Sequence, residues 1–122
     1  MPISFHVDHV RRRVVTRASG LVTFSELSEH LDAEEHERAL DLKELFDARG
    51  ATTDITPDQV KHLVQRAVSS AQRISLGPTA IVTHNDLVFG MARMYSILVE
   101  NVAPVGVFRD LEPAIEWLEG LN

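Results

Sequence analysis

Ile3, Phe5 and Val7 alternate with Ser4, His6 and Asp8, the period of two expected of a strand with one covered face. A second apolar run, Val14 to Ala18, follows a short polar turn, so the chain opens with a β-hairpin. Gly20 is expected to break the second strand. Thr23 and Glu26 then show the T-x-x-E spacing of a capping box, in which the hydroxyl and the carboxylate each take one free backbone N–H. The first helix that follows puts Phe24, Leu27 and Leu31 inside and is expected to fade into the acidic stretch Asp32 to Glu37. Leu42 to Ala48 reads as a third strand closed by Arg49-Gly50.

Thr56 and Gln59 form a second capping box with Pro57 at the first helical position, and Val60, Leu63, Val64, Ala67, Val68 and Ala71 trace one face. Gly77-Pro78 ends that segment. Thr79 to Thr83 is apolar without alternation, as suits a strand covered on both sides. Asn85 or Asp86 caps a third helix reaching about Glu100, Val105 to Phe108 forms the last strand, and Asp110 caps a final helix with Leu111, Ala114, Ile115 and Leu118 inside. The order β-β-α-β-α-β-α-β-α predicts an α/β domain with a mixed sheet. Right-handed crossovers make its last three strands parallel, with the hairpin as an antiparallel edge.

The 122 residues are enough for one core and leave no room for a second domain, so residues 1–122 are read as a single unit. Cysteine is absent, which excludes disulfides, thiol nucleophiles and thiolate metal sites. No leader pattern or long apolar window is present, and a cytoplasmic protein without a transmembrane segment is expected. Twelve Lys and Arg against eighteen Asp and Glu give a net charge of −6, the wrong sign for neutralising nucleic-acid phosphates. Arg11 to Arg13 are accordingly read as a solvated turn.

Four segments, VVTRASG (14–20), LFDARGATTDIT (45–56), LVFGMARMY (87–95) and VFRDLEPAIEWL (107–118), resemble the STAS-like family. The resemblance is to its bacterial branch similar to the sporulation anti-sigma factor antagonist, with a more distant similarity to CRAL-TRIO lipid-transfer domains. It implies the STAS fold over nearly the whole chain and a role in regulation or protein interaction. In anti-sigma antagonists a Ser in an Asp-Ser-Ser-Gly turn is phosphorylated and switches partner binding. The matching turn here is Ile55-Thr56-Pro57-Asp58, which lacks that motif, and the Thr56 hydroxyl is accounted for as a helix cap.

Ligands of open α/β sheets favour the carboxyl ends of the strands, beside helix N-termini. The turns there hold Arg49, Thr52, Thr53, Thr56, His84, Asn85 and Arg109, a set suited to an anion or the polar head of a ligand. The third helix is apolar around most of its circumference. Phe89, Met94 and Ile97 are therefore read as a candidate interface for a protein partner or a homodimer, and Gly90 as a point of close approach. Six histidines raise the question of a metal. His36-Glu37 starts an H-E-x-x-H pattern, but position 40 is Leu, and His30 and His36 do not share a helical face. No metal, cofactor or catalytic set is expected, so the sequence reads as a non-enzymatic STAS-like module for a protein partner, or else a carrier or sensor of a small lipid-like or anionic ligand.

Overall fold

The computed structural model describes residues 2–121. They form β1 (Ile3–Asp8), β2 (Arg13–Val22), α1 (Phe24–His36), β3 (Lys43–Thr53), α2 (Pro57–Ala71), β4 (Thr79–Val82), α3 (Asp86–Leu98), β5 (Val105–Phe108) and α4 (Leu111–Glu119). The strands lie side by side in chain order. β1 pairs antiparallel with β2, Phe5 opposite Thr16, and the β2–β3, β3–β4 and β4–β5 pairs are all parallel. Parallel order thus begins one strand earlier than the sequence indicates, because α1 is itself a crossover that returns the chain to the same end of the sheet.

Two apparent breaks are absorbed into strands. Gly20 adopts φ 67°, which glycine reaches without strain, and β2 continues to Val22 with a register shift between Arg17 and Ser19. Arg49-Gly50 does not close β3: Gly50 pairs with Ser19, Ala51 with Gly20, and the strand runs to Thr53. A turn-like dipeptide stays extended here because the neighbouring strand supplies its hydrogen bonds.

Alternation along the strands separates two layers. Ala18, Val22, Ala48 and Ala51 face Leu27 of α1 and Val88 of α3, while Ile55, Val60 and Leu63 gather Met91, Met94 and Tyr95 between α2 and α3. On the opposite side, Ala80 and Val82 pack with Leu45 against Ala114, Trp117 and Leu118 of α4. The capping boxes form as the sequence predicts. Thr23 and Glu26 exchange bonds of 3.3 and 2.9 Å, Thr56 and Gln59 bonds of 3.2 and 3.0 Å. Asn85 Oδ1 accepts from the Val88 N–H at 2.9 Å. Asp110 occupies the N-cap of α4 but makes no side-chain cap bond. Among the described residues no helix is long and apolar enough to cross a membrane.

Gly90 is not a close-packing point: it is exposed, and a Cβ there would meet nothing within 4 Å. Close approach occurs at Gly77, where a Cβ would lie 2.1 Å from the Leu42 carbonyl oxygen and the amide donates to Leu40 O at 2.9 Å. Gly90→Ala should therefore stabilise the fold by about 0.5–1 kcal/mol through helix propensity, whereas Gly77→Ala should destabilise it by about 1–3 kcal/mol through overpacking. Chemical denaturation of the two variants checks both signs.

Candidate functional site

His30 and Glu34 stand one turn apart on α1, at a spacing that puts them on the same face. That face covers β2 and β3, so both side chains turn inward and are 5 % and 1 % exposed. They meet Glu44, whose place on β3 points it to the same side as Phe46 and Ala48. His30 Nε2 lies 3.1 Å from Glu44 Oε2 and 3.1 Å from Glu34 Oε1. The Thr16 hydroxyl of β2 donates to Glu44 Oε2 at 2.5 Å. The imidazole is wedged edge-on between Phe5 and Phe46, with ring centroids 5.2 and 5.6 Å away. One N–H faces two carboxylates and is taken up by Glu44. Glu34 Oε1, together with His30 Nδ1, is left without a hydrogen-bond partner.

Burial and mutual contact reshape the acidity of all three groups. Burial, reinforced by the Glu44 charge and a carboxyl–carboxyl hydrogen bond, raises Glu34 to about 8, which favours its protonated form. Burial also acts against the charged form of Glu44, but hydrogen bonds from His30, Glu34 and Thr16 outweigh it and hold that carboxyl below its ordinary value. For His30 burial opposes the cation, and the hydrogen bonds to Glu34 and Glu44 overcome it, raising the imidazole to about 9. Tyr95 of α3 is pushed up to about 12 by burial and by the charges of Glu44 and Glu34. Several perturbed groups at the wall of one cavity mark a candidate site.

The cavity has a volume of about 170 Å³ and lies between the sheet and helices α1, α2 and α3. His30, Glu34, Glu44 and Tyr95 form its polar wall, and Val22, Leu27, Leu63 and Ala92 are typical of the remainder. A second cavity of about 70 Å³ shares Glu34, Glu44, Thr79 and Tyr95.

No protein-family model and no curated protein matches this sequence. A crystal structure similar to it is that of an uncharacterized protein from the DUF3478 family with a SpoIIAA-like fold, from Shewanella loihica PV-4. The two superpose with a TM-score of 0.62 at 14 % identity, over 95 % of this chain and 93 % of that one. The chain has a SpoIIAA-like fold. The likeness to STAS-like proteins carried by residues 14–20, 45–56, 87–95 and 107–118 is borne out at that level.

Within the SpoIIAA-like frame the residues expected at the strand ends are dispersed. Thr52 and Thr53 line the cavity, and Thr53 is tied down by donating to Val22 O at 2.7 Å and accepting from the Ile55 N–H at 3.1 Å. Arg49 is held by Asp47 through two bonds of 2.9 Å. Arg109 pairs with Asp86 at 2.8 Å and lies 4.1 Å over the Phe89 ring. His84 is exposed, and Asn85 and Thr56 act as caps. Phe89, Met94 and Ile97 do not form one patch: Phe89 sits under Arg109, Met94 packs toward α2, and Ile97 is exposed.

The acidic stretch 32–37 is helical up to His36 and not uniformly solvated, since Glu34 is buried. The signal was available: His30 and Glu34 continue the inward stripe begun by Phe24, Leu27 and Leu31. Polar residues in that stripe identify a buried pair, but their partner Glu44 emerges only from the pairing of β3.

Removing His30 strips the nitrogen that faces both buried carboxyl groups, so His30→Ala should cost about 3 kcal/mol or more. Glu34→Gln replaces a protonated carboxyl by an amide of the same shape and should cost about 1 kcal/mol or less at neutral pH. Equilibrium denaturation of the two proteins measures the contrast. Thr56→Ala should cost about 1 kcal/mol, the usual loss of an N-cap. Phosphate found on Thr56 in protein isolated from its host would replace that structural role by a switch.

Proposed function

We propose that this SpoIIAA-like domain is a non-enzymatic binding module that carries or senses a small apolar molecule bearing one polar group. The observation that supports this reading is the cavity of about 170 Å³, mostly apolar, with a wall of His30, Glu34, Glu44 and Tyr95 and three threonines, Thr52, Thr53 and Thr79, in its lining. A space near 150 Å³ lined by aliphatic and aromatic side chains accepts a guest the size of benzene, so the occupant is a single ring or a short chain. Its apolar part would rest against Val22, Leu27 and Leu63, and its polar group would meet the unpartnered Glu34 Oε1. Thr52 belongs to the lining and is exposed, which places the entrance beside the end of β3.

A second reading, docking of a protein partner, is favoured by the outer side of α3, where Leu87, Ile97 and Leu98 are 50 %, 54 % and 46 % exposed. A second copy of the chain is the occupant we propose for it, since a two-fold contact would cover the same side of α3 in both copies. Sedimentation across a concentration series should then show a dimer that Ile97→Glu dissociates, and a monomer at high micromolar concentration would remove this reading.

Titration with 1-hexanol, followed by methyl NMR, tests the carrier. Shifts should be confined to methyl groups that line the cavity, among them Val22, Leu27, Leu63 and Ala92, and Ala92→Phe, which fills the cavity, should abolish them. Uniform shifts, or none, would overturn the proposal.

A further inference from the structure

We infer that His30, Glu34 and Glu44 form a site for one first-row divalent cation in the wall of the cavity. Ligand atoms about 2.0–2.2 Å from a common ion, at angles between octahedral and tetrahedral, stand about 2.8–3.6 Å apart. His30 Nε2 lies 3.1 Å from an oxygen of each carboxylate, and one ligand atom from each of the three residues falls within 4.8 Å of the others. Both spacings from His30 therefore match a shared ion, and the third, within 4.8 Å, closes by turning a carboxylate rather than by moving α1 or β3.

The unsatisfied atoms point the same way. Glu34 Oε1 is buried, and its neighbour at 3.1 Å, His30 Nε2, has a single N–H that Glu44 takes up, although a buried acceptor left unmade costs about 1–3 kcal/mol. A cation bound between the three residues would satisfy it. The charge balance also closes. Without an ion the cluster is balanced by an imidazolium and a protonated Glu34 beside the Glu44 carboxylate; a dication would displace those two protons and leave a neutral imidazole, two carboxylates and the ion, again without net charge.

The surroundings match what oriented metal ligands require. Thr16 donates to Glu44 Oε2, fixing that carboxylate as outer-shell hydrogen bonds do, and Phe5 and Phe46 hold the imidazole from two sides. One nitrogen and two oxygens, without sulfur, suit Zn²⁺, Mn²⁺, Fe²⁺ or Co²⁺. Ca²⁺ takes six to eight oxygen ligands, which this site does not supply. Three protein ligands leave at least one coordination position free. All three residues line the cavity, so that position is available to an oxygen or nitrogen of a bound molecule. The inference stands apart from the identity of that molecule.

The test is a calorimetric titration of the chelator-treated full chain with Zn²⁺. One equivalent should bind with micromolar affinity or better, and the thermal midpoint should rise with Zn²⁺ concentration by mass action. Co²⁺ in its place should show the visible bands of a protein-bound ion. Glu34→Gln, expected to keep the fold, should weaken Zn²⁺ binding at least about tenfold, while His36→Ala, which removes an exposed imidazole, should leave it unchanged. Absence of saturable binding to the parent chain overturns the inference. So does binding undiminished in Glu34→Gln, which would locate the ion on surface histidines. A chain that binds Zn²⁺ but not 1-hexanol keeps the cation site and loses the carrier.

Discussion

Glu44 carries a carboxylate into the layer between the sheet and its helices, and three elements converge to compensate it. β2 supplies the Thr16 hydroxyl, and α1 supplies His30 and the protonated carboxyl of Glu34. The contact joins residues 14 and 28 positions apart in the chain, so it holds α1 over the β2–β3 pair. Buried ionic clusters are poor stabilisers: replacing one by well-packed apolar residues of similar volume is often neutral or favourable. Leucines would hold α1 down at least as well. What apolar packing would not provide is a wall of hydrogen-bonding and charged groups facing an otherwise apolar cavity, and the proposed function rests on that wall.

The third helix resolves its excess of apolar residues in three directions. Ala92 is buried, with Val88 and Tyr95 also lining the cavity side. Met91 and Met94 turn toward α2. Phe89 is covered from outside by the Arg109 guanidinium, which Asp86 holds in place, a cation–π contact that shields an aromatic face at the surface. Leu87, Ile97 and Leu98 are left exposed. The same helix thus walls the cavity and presents the apolar surface for the proposed second copy.

Where local chemistry is decisive, the sequence was legible. The capping boxes at Thr23 and Thr56, the Asn85 cap, the opening hairpin and the order of strands and helices all depend on residues a few positions apart, and hydrophobic period and hydrogen-bonding capacity are enough to reveal them. The strand-end rule puts Thr52 and Thr53 at the carboxyl end of β3, and both belong to the lining of the cavity. Arg49 and Arg109, expected in the strand-end turns as anion-binding groups, are instead paired with carboxylates. Asp47 and Asp86 take them up through side-chain geometry that is not apparent from spacing.

Tertiary structure decided the rest. Gly20 and Arg49-Gly50 read as breaks because their local preference is for turns, yet hydrogen bonds from an adjacent strand extend β2 and β3 through them. Close approach is expected at Gly90 and found at Gly77 because it depends on what lies opposite, and of the two only Gly77 faces another stretch of backbone. Glu34 sits in an acidic run that looks solvated, and Glu44 in a strand ten residues further on. Each is an ordinary surface residue by composition. Their meeting with His30 depends on the angle at which α1 crosses the sheet and on the register of β3. By itself, then, the sequence determined the elements, their order and the fold class, which follow from local periodicity and capping. The cavity and its ionisable wall were decided by packing between distant segments, because proximity in space, unlike periodicity, is not encoded by neighbouring residues.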